Sequence, residues 1–250
     1  MPLGGAPAVS RDRRDQGLGL LAGGGVMSQE DEYAQARERM VDEQLLDRDI
    51  TDRRVLEVME SVPRHEFIPP DLQHLAYADG PLPIGYRQTI SQPYMVALMV
   101  QLACLRGDET VLEVGTGSGY QAAVLARLVR QVYSLERIPE LARSARDVLG
   151  RLGMDNVEVL EGDGSLGLPE HEPYQAILVS AAAPRAPEPL KEQLADGGWL
   201  VLPVGGREGQ ILERWRRRGR DFSRERVTAV AFVPLVGDQG WDPDEGPACW

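Results

Sequence analysis

Three acids and a run of glycines are the residues of this chain best placed to do chemistry. An apolar run, Val111–Val114, breaks at alternate glycines in Gly115-Thr116-Gly117-Ser118-Gly119, and an apolar helical pattern follows from Ala122 to Val129. Strand, tight glycine turn and helix together present backbone amides and a helix N-terminus to a nucleotide-like ligand. A dinucleotide fingerprint requires G-x-G-x-x-G, and Tyr120 stands where its third glycine would be. The G-x-G-x-G spacing, with Glu113 just before it, fits an S-adenosylmethionine loop better. Glu113 offers negative charge to the cationic part of such a ligand. Glu136 closes the next apolar run, 21 positions after Gly115, where a carboxylate accepts from vicinal ribose hydroxyls. Asp163, held between Gly162 and Gly164, is placed to accept from an exocyclic adenine amine while the backbone of Gly164 closes on the ring.

The elements that must position these residues alternate. Strands are expected at Val111–Val114, Gln131–Glu136, Asn156–Glu161, Tyr174–Ser180 and Gly198–Pro203, with helices from Ala122, from Pro139 to about Leu152, and at Pro189–Leu194. Gln210–Arg216 and Arg226–Leu235, flanking Arg217–Asp221, read as a terminal hairpin. The pattern predicts an α/β fold: a doubly wound, mostly parallel sheet with a C-terminal antiparallel hairpin and N-terminal helices. Upstream, Glu30–Met59 reads as two helical segments, with Thr51 the expected N-cap of the second. Pro63 ends the helical reading, and Pro/Gly-punctuated loops follow to Gly85. Gln92–Leu105 is a further helix, opened by Pro93. No internal repeat is present.

Bulk properties narrow the function class. The 250 residues are 42% hydrophobic and 26% charged, an ordinary globular composition, and the net charge of −12 argues against general nucleic-acid binding. Cys104 and Cys249 form neither a disulfide framework nor a metal motif, which suits a reducing cytosol. All apolar runs are too short to span a bilayer. Residues 1–28 read as a disordered tail. Arginines precede Leu18–Ala22 in the order of a secretory signal, but the run is short and broken by Gly19, and Met27 is an alternative start. Residues 29–106 are expected to form a helical and loop region on the substrate side, 107–241 the cofactor-binding α/β region and 242–250 a second tail. His65 reads as a structural turn residue, His74 and His171 as surface residues, and the Arg216–Arg220 cluster as a solvated turn.

Residues outside the glycine loop discriminate further. Val62-Pro-Arg-His65, Pro81-Leu-Pro-Ile-Gly85, Gln88-Thr-Ile-Ser-Gln-Pro-Tyr-Met-Val-Ala97, Glu113–Gln121, Ser134-Leu-Glu-Arg-Ile138 and Phe232-Val-Pro-Leu-Val236 occur in that order. From about Met40 to Val236 the chain resembles the protein-L-isoaspartate O-methyltransferases, and Gln88–Ala97 is the most specific block. The resemblance implies methyl transfer from S-adenosyl-L-methionine to the free α-carboxylate of isoaspartyl residues in damaged peptides and proteins, which starts repair through a succinimide. It makes Ser91 the active-site serine and puts Thr89, Ile90 and Gln92 beside the methionine end of the cofactor. It also implies a cytoplasmic monomer, while the residues themselves, with no metal-ligand spacing, a net charge of −12 and short apolar runs, lead to the expectation of no metal, no nucleic acid and no membrane. A carboxylate is already ionised at neutral pH, so no general base is required. The protein has only to align nucleophile, methyl and sulfur and exclude water. The alternatives are a related carboxyl methyltransferase acting on another peptide or a small molecule, and a non-catalytic adenosyl-binding module. One departure stands out: Arg87 replaces the family's usual glycine in Gly85-Tyr86-Arg87-Gln88, at a cost of about 1 kcal/mol if the backbone there is left-handed.

Overall fold

The computed structural model describes residues 27–242; the glycine-rich leader and the C-terminal residues with Cys249 lie outside the described residues. Helix α1 (Gln29–Met40) begins at a reciprocal cap. The Ser28 hydroxyl accepts from the Asp31 amide and the Asp31 carboxylate accepts from the Ser28 amide, so Ser28 belongs to the first helix and not to a tail. The helix runs on through a wider turn at Val41–Leu46, and α2 (Arg53–Ser61) follows. Its cap is Asp52, not Thr51: the Asp52 side chain accepts from the Arg54 amide, whereas the Thr51 amide donates to Gln101 Oε1 at 2.7 Å.

The loop region contains a small antiparallel sheet that the sequence reading lacks, made of β1 (Leu82–Gly85) and β2 (Gln88–Ile90). Tyr86 and Arg87 form its turn with φ of +50° and +59°, both left-handed, so Arg87 does occupy a conformation that favours glycine. Helix α3 (Pro93–Leu102) ends three residues before the expected Leu105, and Cys104 beyond it also has a positive φ, +52°.

The main sheet has the order β5-β4-β3-β6-β7-β8-β9, built from β3 (Thr110–Val114), β4 (Gln131–Glu136), β5 (Val157–Glu161), β6 (Tyr174–Val179), β7 (Leu194–Gly206), β8 (Gly209–Arg218) and β9 (Asp221–Val230). The first five are parallel, and β7-β8-β9 is antiparallel. Two departures concern the hairpin. Strand β7 is twice the expected length, and β9 lies about five residues earlier than read, leaving Phe232–Leu235 outside the ladder. The arginine cluster is only partly solvated: Arg216 lies over the Trp199 ring, and Arg217 donates to the carbonyls of Glu192 and Leu194.

The period-two alternation of the central strands divides the core. Val111, Ala176 and Leu178 face a large cluster containing α1–α3, α4 (Tyr120–Ala126) and α5 (Pro139–Arg151), and this one cluster continues from Met40 to Leu212. Leu112, Val114, Ile177 and Val179 face a smaller one, covered by α6 (Glu188–Glu192). Helix α4 is buried at all seven positions, and Leu128 and Val129 continue its apolar pattern in a turn rather than in the helix. Because β4 and β5 lie on one side of β3 and β6 on the other, the order reverses between β3 and β6, which opens a crevice at their carboxyl ends.

Candidate active site

A cavity occupies that crevice. The glycine loop forms its floor, with Gly115 and Gly117 at φ of +90° and +54°. Gly115 lies against Ser180, which follows β6, and Gly117 lies under Ile84 of β1, so side chains in the loop would fill the space. Thr89, Ile90 and Ser91, Thr116 and Glu136, and Gly164 line the cavity. A side chain at Gly164 would collide with Val114 Cγ1, which fixes that position as glycine. Glu136 is 5% exposed and holds the loop by accepting from the Gly117 amide at 2.8 Å and the Ile138 amide at 3.0 Å. Two bonds leave a carboxylate lone pairs for further donors such as ribose hydroxyls.

Four residues expected at the ligand do not line this cavity. Glu113 is wholly buried beneath the loop and lies outside the cavity lining. The Ser134 hydroxyl donates to one of its oxygens and is also hydrogen bonded to the Thr116 hydroxyl at 2.6 Å. The other oxygen has no hydrogen-bond partner among the described residues, and burial pushes the carboxyl up to about 8, a rise that the Ser134 hydrogen bond offsets only in part. Glu113 is therefore mainly neutral at pH 7. Gly119 caps α4 in a left-handed conformation, where a Cβ would press on Ala145 and Leu149 of α5, so this glycine serves helix packing. Gln92 turns away from the loop and donates to Asp79, which also pairs with Arg48. Asp163 caps the turn at Gly164–Leu166: one oxygen accepts from the Ser165 amide, and the other accepts from the Asp238 amide at 2.8 Å. It lines an adjoining cavity that shares Arg137 and Val236 with the first.

Other lining residues went unassigned in the sequence. Ser180 accepts from Gln121 Nε2 at 3.0 Å, and Val233–Val236 close the cavity from the opposite side. Phe232–Val236 was visible as a motif without a role, whereas Ser180 carried no signal beyond ending a strand. A neighbouring cavity shares Thr89, Ser91, Ser180 and Val233 with the first and adds Pro81, Gln92, Met95 and Ala229–Phe232. Tyr120, at the start of α4, lines the first cavity and carries the guanidinium of the fully buried Arg64 4.9 Å from its ring centre. His65 is buried and structural: it stacks on Tyr33 at 3.9 Å and its Nδ1 is 2.8 Å from the Tyr77 hydroxyl.

An open glycine loop, an unsaturated carboxylate at the next strand end and a position with no room for a side chain fit an adenosyl ligand carrying an amino-acid tail. The comparisons with known proteins agree. Residues 35–240 match the family model for protein-L-isoaspartate(D-aspartate) O-methyltransferase. Protein-L-isoaspartate O-methyltransferases from Methanoregula boonei and Trichlorobacter lovleyi are each 54% identical, over 82% of this chain and 95% of the relative. A solved protein-L-isoaspartate O-methyltransferase structure superposes with a TM-score of 0.73 at 28% identity, covering 82% of this chain and 67% of its own. A Plasmodium falciparum structure assigned to the same activity, in complex with S-adenosyl-L-homocysteine, gives 0.70 at 26%, covering 80% and 98%.

Proposed function

The chain belongs to the protein-L-isoaspartate(D-aspartate) O-methyltransferase family, and from that premise we propose how its own residues carry the reaction. The enzyme methylates the free carboxylate of isoaspartyl residues in damaged proteins, opening the succinimide route back to aspartyl linkage, and its cofactor is S-adenosyl-L-methionine. When bound, that cofactor supplies an electrophilic methyl on a cationic sulfur, so that the substrate oxygen–methyl bond forms as the carbon–sulfur pair leaves on sulfur.

The protein's part is placement. Gly115, Thr116 and Gly117 bear the methionyl and ribose portions, Glu136 takes the ribose hydroxyls, and Gly164 borders the adenine. Thr89 and Ile90 close over the reacting end. Ser91 donates its hydroxyl to the substrate carboxylate and orients it, and is not a nucleophile. No base is invoked because the carboxylate arrives ionised, and the apolar walls at Val96, Leu135 and Val233 exclude water. The observation that carries this reading is that Thr89, Ser91 and Ser180 border both cavities, one suited to the donor and the other to the peptide. Glu113 shapes the floor from behind, and Asp163 holds the turn that presents Gly164.

We assign residues 29–106 to the substrate side and 107–241 to the cofactor side, and propose a cytoplasmic monomer that binds no nucleic acid, as the family likeness and the charge of −12 favour. Among the described residues no helix is long and apolar enough to cross a membrane. The test is incubation with labelled S-adenosyl-L-methionine and matched isoaspartyl and aspartyl peptides. Base-labile label on the isoaspartyl peptide alone is expected, and label on neither would sink the assignment. Ser91→Ala is expected to keep its affinity for S-adenosyl-L-homocysteine and to lose at least about tenfold in turnover. Equal loss of both would refute the orienting role.

A further inference from the structure

Both cavities share a wall whose support lies outside either of them. Strand β9 leaves β8 at the pair Gln210–Val230, and the chain then crosses the carboxyl end of β6 as a strap. There the Ala182 amide donates to Val233 O at 2.7 Å, and the Leu235 amide donates to Ala182 O at 2.8 Å. Val233 borders both cavities, Pro234–Val236 the donor side, and Ala231 and Phe232 the peptide side. Between Val230 and Val233 the strap has no strand beside it.

One side chain bridges that gap. Gln210, 4% exposed, accepts from the Phe232 amide through Oε1 at 2.6 Å and donates through Nε2 to Phe232 O at 3.0 Å. A carboxamide carries one donor and one acceptor in the spacing of a peptide group, so it continues the ladder by one residue after the backbone has diverged. An aliphatic side chain would do neither, and a carboxylate can only accept. Opposite Gln210, Gly205 permits the close approach, since a side chain there would collide with Gly209 O.

We propose that Gln210 is a positioning residue for methyl transfer: its carboxamide fixes the strap 231–236 and so sets the opening of the peptide side of the cleft. Gln210 lines neither cavity, so it acts only through Phe232 and Val233. The inference rests on assigning the neighbouring cavity to the peptide.

The test uses Gln210→Ala and Gln210→Glu in the full chain, with amide hydrogen exchange read alongside kinetics. In Gln210→Ala the Phe232 and Leu235 amides are expected to exchange at least about tenfold faster while β3 amides keep their protection. KM for an isoaspartyl peptide is expected to rise roughly tenfold, with kcat within about twofold. Gln210→Glu is expected to recover toward the parent KM as pH falls and its carboxyl regains a donor. Unchanged exchange in the strap, or exchange raised equally in β3, would overturn the positioning role. Faster strap exchange with unchanged peptide KM would also overturn it. If the parent enzyme methylated no isoaspartyl peptide, the function would fall, yet the exchange result would still report whether Gln210 holds the strap.

Discussion

At the scale of single residues, the acid beneath the glycine loop has the clearest energetic signature. Burial lifts the Glu113 carboxyl from 4.5 to about 8, so the unfolded chain releases this proton at a much lower pH than the folded one. Between those values the native state binds more protons, and stability falls as pH rises; below 4.5 the effect vanishes. Glu113→Gln keeps the shape without the titration. It is expected to flatten that decline and to exceed the parent at pH 8 by on the order of a few kcal/mol. Denaturant unfolding of both proteins at pH 5 and pH 8 measures it, and parallel pH trends would refute it. Gly164→Ala belongs to the same scale. Its collision with Val114 must displace the turn beside the cavity, so S-adenosyl-L-homocysteine affinity is expected to drop about tenfold or more by calorimetry. Unchanged affinity would mean that the turn shifts freely.

At the scale of elements, the β1–β2 hairpin carries strain at its tip and packs Ile84 onto the glycine loop. With both central residues left-handed, Arg87→Gly removes a steric cost of about 1 kcal/mol and is expected to raise Tm by roughly 2–4 °C. A lower Tm would show that the contacts of the arginine side chain outweigh the strain. The elements also divide by how well sequence announces them. Strands β3, β4, β5 and β6 were legible to within a residue or so: β3 and β6, in the middle of the sheet, are nearly all buried and mainly apolar, whereas β5, at its edge, shows in the alternation of Val157 and Val159 with the exposed Glu158. Strand β9 was misplaced because Ser223-Arg-Glu-Arg226 offers no alternation, whereas Phe232–Leu235, which is apolar, serves as a cavity wall. The roles of Gly119 and Asp163 depend on Leu149 and Asp238, 30 and 75 positions away, and no local pattern encodes such partners. Glu136 and the glycine spacing needed only the strand ends that local sequence already marks.

At the scale of the whole molecule, one apolar cluster runs from the N-terminal helices through the sheet, so the substrate and cofactor sides share a core. They are expected to unfold together in one transition by circular dichroism and by tryptophan fluorescence, and separated midpoints would show independent units. S-adenosyl-L-homocysteine at about 100 times its Kd is expected to stabilise that single transition by about 2.7 kcal/mol.

The exposed outer strand has a consequence of another kind. A seven-stranded sheet ending in ten residues of open backbone is a template on which a foreign strand can add. The substrates of this enzyme are damaged proteins carrying isoaspartyl residues. Along β9, Arg224, Glu225 and Arg226 stand in solvent, with Glu225 and Arg224 paired back to Arg214 and Glu213 of β8. An incoming apolar strand would have to strip water from this fringe of alternating charge with no compensating contacts. A charged fringe of this kind opposes edge-to-edge strand addition along β9.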